Sequence, residues 1–455
     1  MNRSTTATWT KLMAGTAALG FVLTACGSSD ESPDAKDSSS SSPSASSSES
    51  ASGSTDETFT NDKCKSGQTS ADTFKVGGIL PLTGNLAYLG PPEIAGVGLA
   101  VSEINAAGGV DGAKACHDIQ DSGDSTDMSI STSSAGTLVA GKPSVVIGAA
   151  SSSVSLNVVD TFADNKIVEV SPANTAVDLS GYSPYYFRTA PPDGIQGNAL
   201  GTLISTDGYT KVAFLVFNDT YGTGLRNAVQ ETIEAAGGQV VYGGKGDGDE
   251  FPAGQTTFSS EVSGALAAKP DAIVVLAFDE TKQIIPELAS QGWDMSKVYL
   301  SDGNTADYSK DFEPGTLEGA QGTIPGADPD ATFKDRLNGW AEVGEGKPLS
   351  DYAYGAESYD ATILAALAAV KGGDTSSETI QQNFADVSGA TDGEECTSYA
   401  DCVALLGDGK EIKYTGPSGI GPIDDQNDPS SAFVGIFKYN ADNKNELSTS
   451  VEGSK

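Results

Sequence analysis

The chain has 455 residues, 38% of them hydrophobic, enough to bury the cores of two or three domains. Lys and Arg total 26 against 62 Asp and Glu, a formal net charge of −36, so a nucleic-acid backbone or an anionic membrane surface would be repelled rather than bound. The acidic residues are spread along the chain instead of forming one block, a pattern that serves solubility.

Residues 1–25 read as a targeting segment. Arg3 and Lys11 precede the apolar run "LMAGTAALGFVLTA", which is too short to span a bilayer as a mature helix. The run leads into "LTAC", which resembles the lipobox of bacterial lipoproteins. That resemblance implies acylation of Cys26, which becomes the new N-terminus on the outer face of the cell membrane. A secretory signal cleaved elsewhere, with an incidental cysteine, is the alternative; it leaves the fit of Leu23, Thr24 and Ala25 unexplained. From residue 27 to 60 nearly every residue is Ser, Asp, Glu, Pro, Gly, Ala or Thr, with little to bury against the entropy of ordering. Residues 26–72 are therefore expected to form a flexible tether with an r.m.s. span of roughly 35 to 40 Å, from about 5 to 6 Å times the square root of its length.

Four further cysteines, Cys64, Cys116, Cys396 and Cys402, are an even number in an exported chain, which favours two disulfides. Cys396 and Cys402 enclose only "TSYAD" and are expected to close a local loop, which leaves Cys64 for Cys116. A zinc site is the rival, but His117 is the sole histidine and no Cys-x-x-Cys occurs, so no metal or other cofactor is expected.

After residue 73 the pattern alternates. "FKVGGIL" (74–80) predicts a strand, and "PPEIAGVGLAVSEINAAGG" predicts an amphipathic helix carrying Ile94, Val97, Val101 and Ile104 on one face and stopping at Gly108 and Gly109. "SVVIG", a helix over about 153–164, "KIVEV" and "YYFRTA" follow. A second series starts with "KVAFLVF" (211–217) and continues through a helix from 221, "QVVYGG", a helix near 256–268, "AIVVLAF", a helix near 280–290 and "KVYLS". Two such series predict two parallel, doubly wound α/β sheets whose ligands sit at the carboxyl ends of the strands. Residues 328–385 are expected to be mostly helical, with a buried helix rather than a membrane span at 361–370, and 432–439 to form a last strand.

Several stretches together carry a family resemblance. "GGILPLTGNLAYLGPPEIAGVGLAVSEINAAGGVDG", "VVIGAASSSVSLNVVDTFADNKIVEVSPANTAVDL", "FNDTYGTGLRNAVQETIEAAGG", "AIVVLAFDETKQIIPELASQGW" and "YLSDGNTADY" resemble the type I periplasmic binding proteins of the branched-chain amino acid (Leu/Ile/Val) branch, over about 73–440. The resemblance implies two Rossmann-like lobes joined by a three-crossover hinge, one from 73–188 and 325–412, the other from 189–324 and 413–442. It also implies a monomeric receptor that delivers a small zwitterionic ligand to the membrane permease subunits of an ABC importer, touching the membrane through its lipid anchor alone.

A carboxylate entering a dry cleft must meet donors, and hydroxyls with the first-turn amides of a helix supply them. "AASSS" between strand and helix suits that role, although a serine there could equally be an N-cap. The resemblance implies that Ser152 holds the carboxylate beside Ala150 and Ser151, and that Ala173 and Thr175 in "SPANTA" form a second contact segment; by itself "PANT" reads as a turn. It places Asp302 near the acidic partner of the ligand ammonium, where the family usually carries Glu, and "DG" alone is a turn signal. Tyr221 and Phe278 match aromatics that cover the ligand, Phe278 without the hydroxyl often found there, and Tyr88 lies one place from the usual first-lobe aromatic. An N-terminal helix turn and plain core are the ordinary readings of those residues. Asp for Glu and Phe for Tyr leave the ligand open: branched-chain amino acids first, with amides, urea-like compounds or aromatic acids as alternatives.

No enzyme is expected. "GAASSSV" lacks the G-x-S-x-G elbow, His117 is far from the serines in sequence, and neither "GTGL" nor "GGKGDG" has phosphate-loop spacing. A sensing module that reports to a receptor or kinase is the alternative to transport, since lobe closure serves both. An inert adhesin on the same scaffold would bind no small molecule.

Overall fold

The computed structural model describes residues 58–454; the expected signal segment, Cys26 and most of the expected tether lie outside the described residues. The first sheet has the order β2-β1-β3-β4-β5, all parallel. Its strands are β1 (Phe74–Leu80), β2 (Ala115–Asp121), β3 (Val145–Gly148), β4 (Glu169–Ser171) and β5 (Tyr186–Arg188). Between them run α1 (Gly90–Ala106), α2 (Met128–Gly141) and α3 (Ser152–Asp164). This is a doubly wound arrangement, with the order reversing between β1 and β3.

After β5 the chain crosses to a second sheet. It is built from α4 (Asp193–Thr206), β6 (Lys211–Val216), α5 (Thr220–Ala235), β7 (Gln239–Tyr242), α6 (Ser259–Ala267), β8 (Ala272–Leu276), α7 (Thr281–Ser290), β9 (Val298–Leu300) and β10 (Gln321–Pro325). It then crosses back to α8 (Ala331–Gly344), α9 (Gly355–Gly372), α10 (Ser377–Ala385), β11 (Glu394–Cys396), α11 (Tyr399–Gly407) and β12 (Ile412–Tyr414), and returns a third time to β13 (Ser431–Tyr439) and β14 (Asn445–Ser454). The second sheet has the order β14-β13-β10-β9-β8-β6-β7. It is mixed rather than purely parallel, because β13 pairs antiparallel with both β10 and β14. The 445–454 strand escapes the sequence pattern because its residues are mostly exposed and polar.

Local chemistry explains the key elements. Pro91 and Pro92 stand in the first turn of α1, where a missing N–H costs nothing, and Ile94, Val97, Val101 and Ile104 are all buried as the spacing predicts. The helix is buried almost all round because α9 covers its other side. Gly98 is required there: a Cβ would lie 1.9 Å from the Trp340 ring of α8. From Gly355 to Ala369 α9 is continuously buried in protein, and among the described residues no helix is long and apolar enough to cross a membrane. Each fully buried Val, Leu or Ile in these layers contributes about 1.5–3 kcal/mol relative to exposure.

Cys64 is bonded to Cys116 and Cys396 to Cys402. The expected tether is corrected at its C-terminal end, because residues 59–64 are packed against the first lobe. Trp340 Nε1 donates to Thr60 O at 3.0 Å, and Asn61 Oδ1 meets His117 Nε2 at 3.0 Å. His117 N donates to Asp62 O at 3.0 Å, and Cys64 N donates to His117 O at 2.9 Å. The low-complexity composition ends just before "FTNDKC", where an aromatic and a cysteine supply groups worth burying.

Candidate functional site

Five strand ends converge on one small cavity. At the first, β3 stops at Gly148, whose φ of +124° is open to glycine; a Cβ would stand 2.1 Å from Ile79 O. Small residues then let the chain turn sharply into α3. Ser151 occupies the N-cap position of α3 without making a side-chain cap. Its Oγ is buried and has no hydrogen-bond partner, so the capping alternative is not realised. Ser152 Oγ accepts from Ala176 N at 3.3 Å, and Ser153 Oγ donates to Asp219 Oδ2 at 2.6 Å.

The second end, after β4, is locked to the first. Ser171 Oγ donates to Ala149 O at 2.7 Å, and Asn174 Nδ2 donates to Ala150 O at 2.7 Å. Tyr186 Oη holds Asn174 Oδ1 at 2.8 Å. Ala173 faces the cavity, whereas Thr175 lies behind it. Thr175 Oγ1 is buried beside the Asp193 carboxyl, and the Thr175 carbonyl accepts from Asp193 N at 2.7 Å.

The second sheet supplies the opposite wall. Asp219 caps α5 by accepting from Tyr221 N at 3.0 Å, which fixes Tyr221 at the helix start. Tyr221 stacks on Phe278, which follows β8, with ring centroids 5.5 Å apart and planes 13° apart. A short 3₁₀ turn after β9 presents Asp302, held by a reciprocal Ser301–Asn304 capping box. Gly303 must be small, since a Cβ would meet the Phe278 ring at 2.8 Å.

Asp302 is the electrostatic centre. Its Oδ1 accepts from Tyr221 Oη at 2.6 Å and from Gln196 Nε2 at 2.8 Å, and its Oδ2 accepts from Tyr354 Oη at 2.6 Å. Burial holds its carboxyl above the usual carboxylate range, opposed by those three hydrogen bonds. Asp193, behind Thr175, is pushed up to about 8 by burial, with the Asp302 carboxyl acting in the same direction.

The cavity measures about 20 Å³, nearly closed, and is lined by Ala150, Ser151, Ser152, Ala173, Tyr221, Phe278, Asp302, Leu86, Leu89, Gly303 and Tyr354. None of these is a Lys, Arg or His. Seven of the nine residues proposed from the sequence are therefore brought together. Thr175 is one layer back, and Tyr88 reaches the site only indirectly, donating to Asp302 O at 3.2 Å. A larger hollow of about 330 Å³ is also bordered by Tyr354, but the convergent serine, carboxylate and aromatic groups belong to the smaller one.

Sequence reasoning missed Tyr354, Leu86 and Leu89. Tyr354 stands at the N-cap of α9 with φ +59°, a conformation that no local signal announces for tyrosine. The two leucines flank Tyr88 in "GNLAYLG", where the aromatic drew attention that its apolar neighbours merit. His117 is on β2, with its ring edge-on to Trp340, and it does not line the cavity. Burial, aided by Lys63, pushes its imidazole down to about 4. Among the described residues no group of three or more potential ligands could hold a metal ion.

The family model described as "Periplasmic binding protein" matches residues 73–393. A leucine-, isoleucine-, valine-, threonine- and alanine-binding protein of Pseudomonas aeruginosa is 33% identical over 186 residues, 40% of this chain and 49% of that one. A Leu/Ile/Val-binding protein of Rhizobium johnstonii is 26% identical over 370 residues, 80% of this chain and 91% of that one. The chain thus spans about half of the first relative and most of the second. In fold it is similar to a branched-chain amino acid transporter substrate-binding protein of Streptococcus pneumoniae in complex with isoleucine, with a TM-score of 0.67 and 22% identity, covering 84% of this chain and 100% of that one.

Proposed function

This chain belongs to the periplasmic binding protein family, and we propose that it is an extracytoplasmic receptor that closes over a small zwitterionic ligand of the amino-acid class and yields it to an ABC permease. The observation that carries this reading is a polarity. An unpartnered Ser151 hydroxyl at the start of α3 lies on one side of the cavity, and the buried Asp302 carboxylate lies on the other. A ligand carboxylate would accept from Ser151 Oγ and the first free amides of α3, where the helix dipole adds positive potential. The ligand ammonium would donate to Asp302, whose charge is otherwise balanced only by neutral donors. Leu86, Leu89 and the stacked Tyr221–Phe278 pair would cover a short apolar side chain, which favours branched-chain amino acids. The names of the relatives point to the same ligands.

In this reading Cys26 carries the lipid anchor, the protein works as a monomer, and no step of catalysis takes place. Micromolar affinity requires about 8 kcal/mol, which two paired charges and a modest apolar surface can supply. Calorimetry with L-leucine, L-isoleucine and L-valine tests the proposal, with a thermal-shift screen of amides and aromatic acids beside it. Binding that Ser151→Ala weakens about tenfold or more supports the carboxylate seat. Undiminished binding in Ser151→Ala and Asp302→Asn together would remove the proposed polarity.

A further inference from the structure

We infer that Arg188 is a positioning residue for the ligand site, the group through which the third hinge crossing fixes the segment carrying Ala173 and Thr175. Arg188 is the last residue of β5 and is fully buried. Its guanidinium reaches in three directions. Nε donates to Asp428 Oδ1 at 2.5 Å, Nη1 donates to Ala176 O at 2.8 Å and Asn174 O at 3.3 Å, and Nη2 donates to Ser180 Oγ at 2.6 Å. The two carbonyls it holds flank Thr175 on either side.

Asp428 belongs to the crossing between β12 and β13. The turn that contains it is closed by Asp424 N donating to Asp428 O at 2.8 Å and by Asp428 N donating to Asp424 Oδ1 at 3.1 Å. Main-chain bonds run in parallel: Arg188 N donates to Asn427 O at 3.2 Å, and Gly181 N donates to Gln426 O at 2.8 Å. The next residue, Thr189, opens the first crossing and is tied back to Ser171 O at 2.9 Å. One desolvated cation thus joins two of the three crossings to the segment beside the ligand cavity. A planar fork is needed to serve a carboxylate and two carbonyls at once; a lysine ammonium on a flexible stem cannot reproduce it. Displacement of the Asp428 turn as the lobes move would be passed through this fork to Thr175.

The inference rests on the proposed function in assigning residues 173–175 to the ligand, so its test has one arm without ligand. Arg188→Lys keeps a positive charge for Asp428 and loses the fork. In the ligand-free protein, hydrogen exchange at residues 174–180 and at 424–428 should accelerate together, by about tenfold, while β1, β6 and α9 stay unchanged. In the second arm, L-leucine affinity should fall about tenfold in Arg188→Lys, through the main chain of residues 173–176 that the guanidinium holds. Acceleration in only one segment, in neither, or an undiminished affinity would overturn the inference. Should Arg188→Lys fail to fold, Ser180→Ala removes the Nη2 contact alone and must loosen both segments to a smaller degree. A wild-type protein that binds no leucine would defeat the functional reading, while the exchange arm would still decide the role of Arg188.

Discussion

Tyr354, at the head of α9 in the first lobe, donates its hydroxyl to Asp302 of the second lobe at 2.6 Å, so the carboxylate at the centre of the site is completed only across the cleft. The bond requires Tyr354 to hold a left-handed backbone, φ +59°, which costs roughly 1–2 kcal/mol for a residue with a side chain.

Tyr354→Phe should therefore keep the wall of the cavity and lose the donor. A hydrogen bond to a charged group is worth about 1.5–3 kcal/mol, so L-leucine affinity measured by calorimetry should fall about tenfold or more. Unchanged affinity would show that Asp302 needs no support from the first lobe.

The Ser153–Asp219 bond at 2.6 Å is a second tie across the cleft, outside the cavity lining. Ser153→Ala leaves the Asp219 cap on Tyr221 intact and removes only that tie. The expected result is roughly tenfold or more faster ligand dissociation in stopped flow, from a carboxylate hydrogen bond worth about 1.5–3 kcal/mol. The association rate should change little.

Stability should fall as pH rises from 6.5 to 8. Burial pushes Glu169 up to about 8, and Asp193 likewise; unfolded carboxyls release their proton near pH 4. The native state therefore binds more protons between those values, and the stabilisation, complete below about pH 4, is lost as pH climbs through 8. His117, pushed down to about 4, acts in the opposite sense below about 6.5, which is why the upper window isolates the carboxyls. The melting temperature of the ligand-free protein should decline across that window, and Glu169→Gln should flatten the slope. A wild-type profile already flat would refute the assignment.

Cys64–Cys116 spans 52 residues and Cys396–Cys402 only 6. Loop-entropy arguments assign about 4 kcal/mol to the first and about 2 to the second. Denaturant unfolding of the Cys64→Ser/Cys116→Ser and Cys396→Ser/Cys402→Ser variants should show the larger loss in the first. The reverse order would mean that native packing, rather than chain closure, dominates.

Much of this architecture was legible because both sheets announce themselves by apolar runs of strand length separated by helical periodicity. Ile94, Val97, Val101 and Ile104 fall on the buried face that the spacing predicts. What stayed hidden has physical causes. α2 carries Ser or Thr at six of its 14 positions and buries only four side chains, so its sequence has no apolar stripe to read. At the site, Ser151, Asp302, Tyr221 and Phe278 stand at strand ends, where topology alone places ligand groups. Tyr354 comes instead from a helix far along the chain, and its place depends on one backbone angle. Arg188 could be read only as part of a strand, since its meaning lies in Asp428, 240 residues away.

The pinning of residues 59–64 onto Trp340, His117 and Cys116 has a mechanical corollary. The first described residues are riveted at several points to the first lobe alone, so the second lobe can swing on the hinge without dragging them.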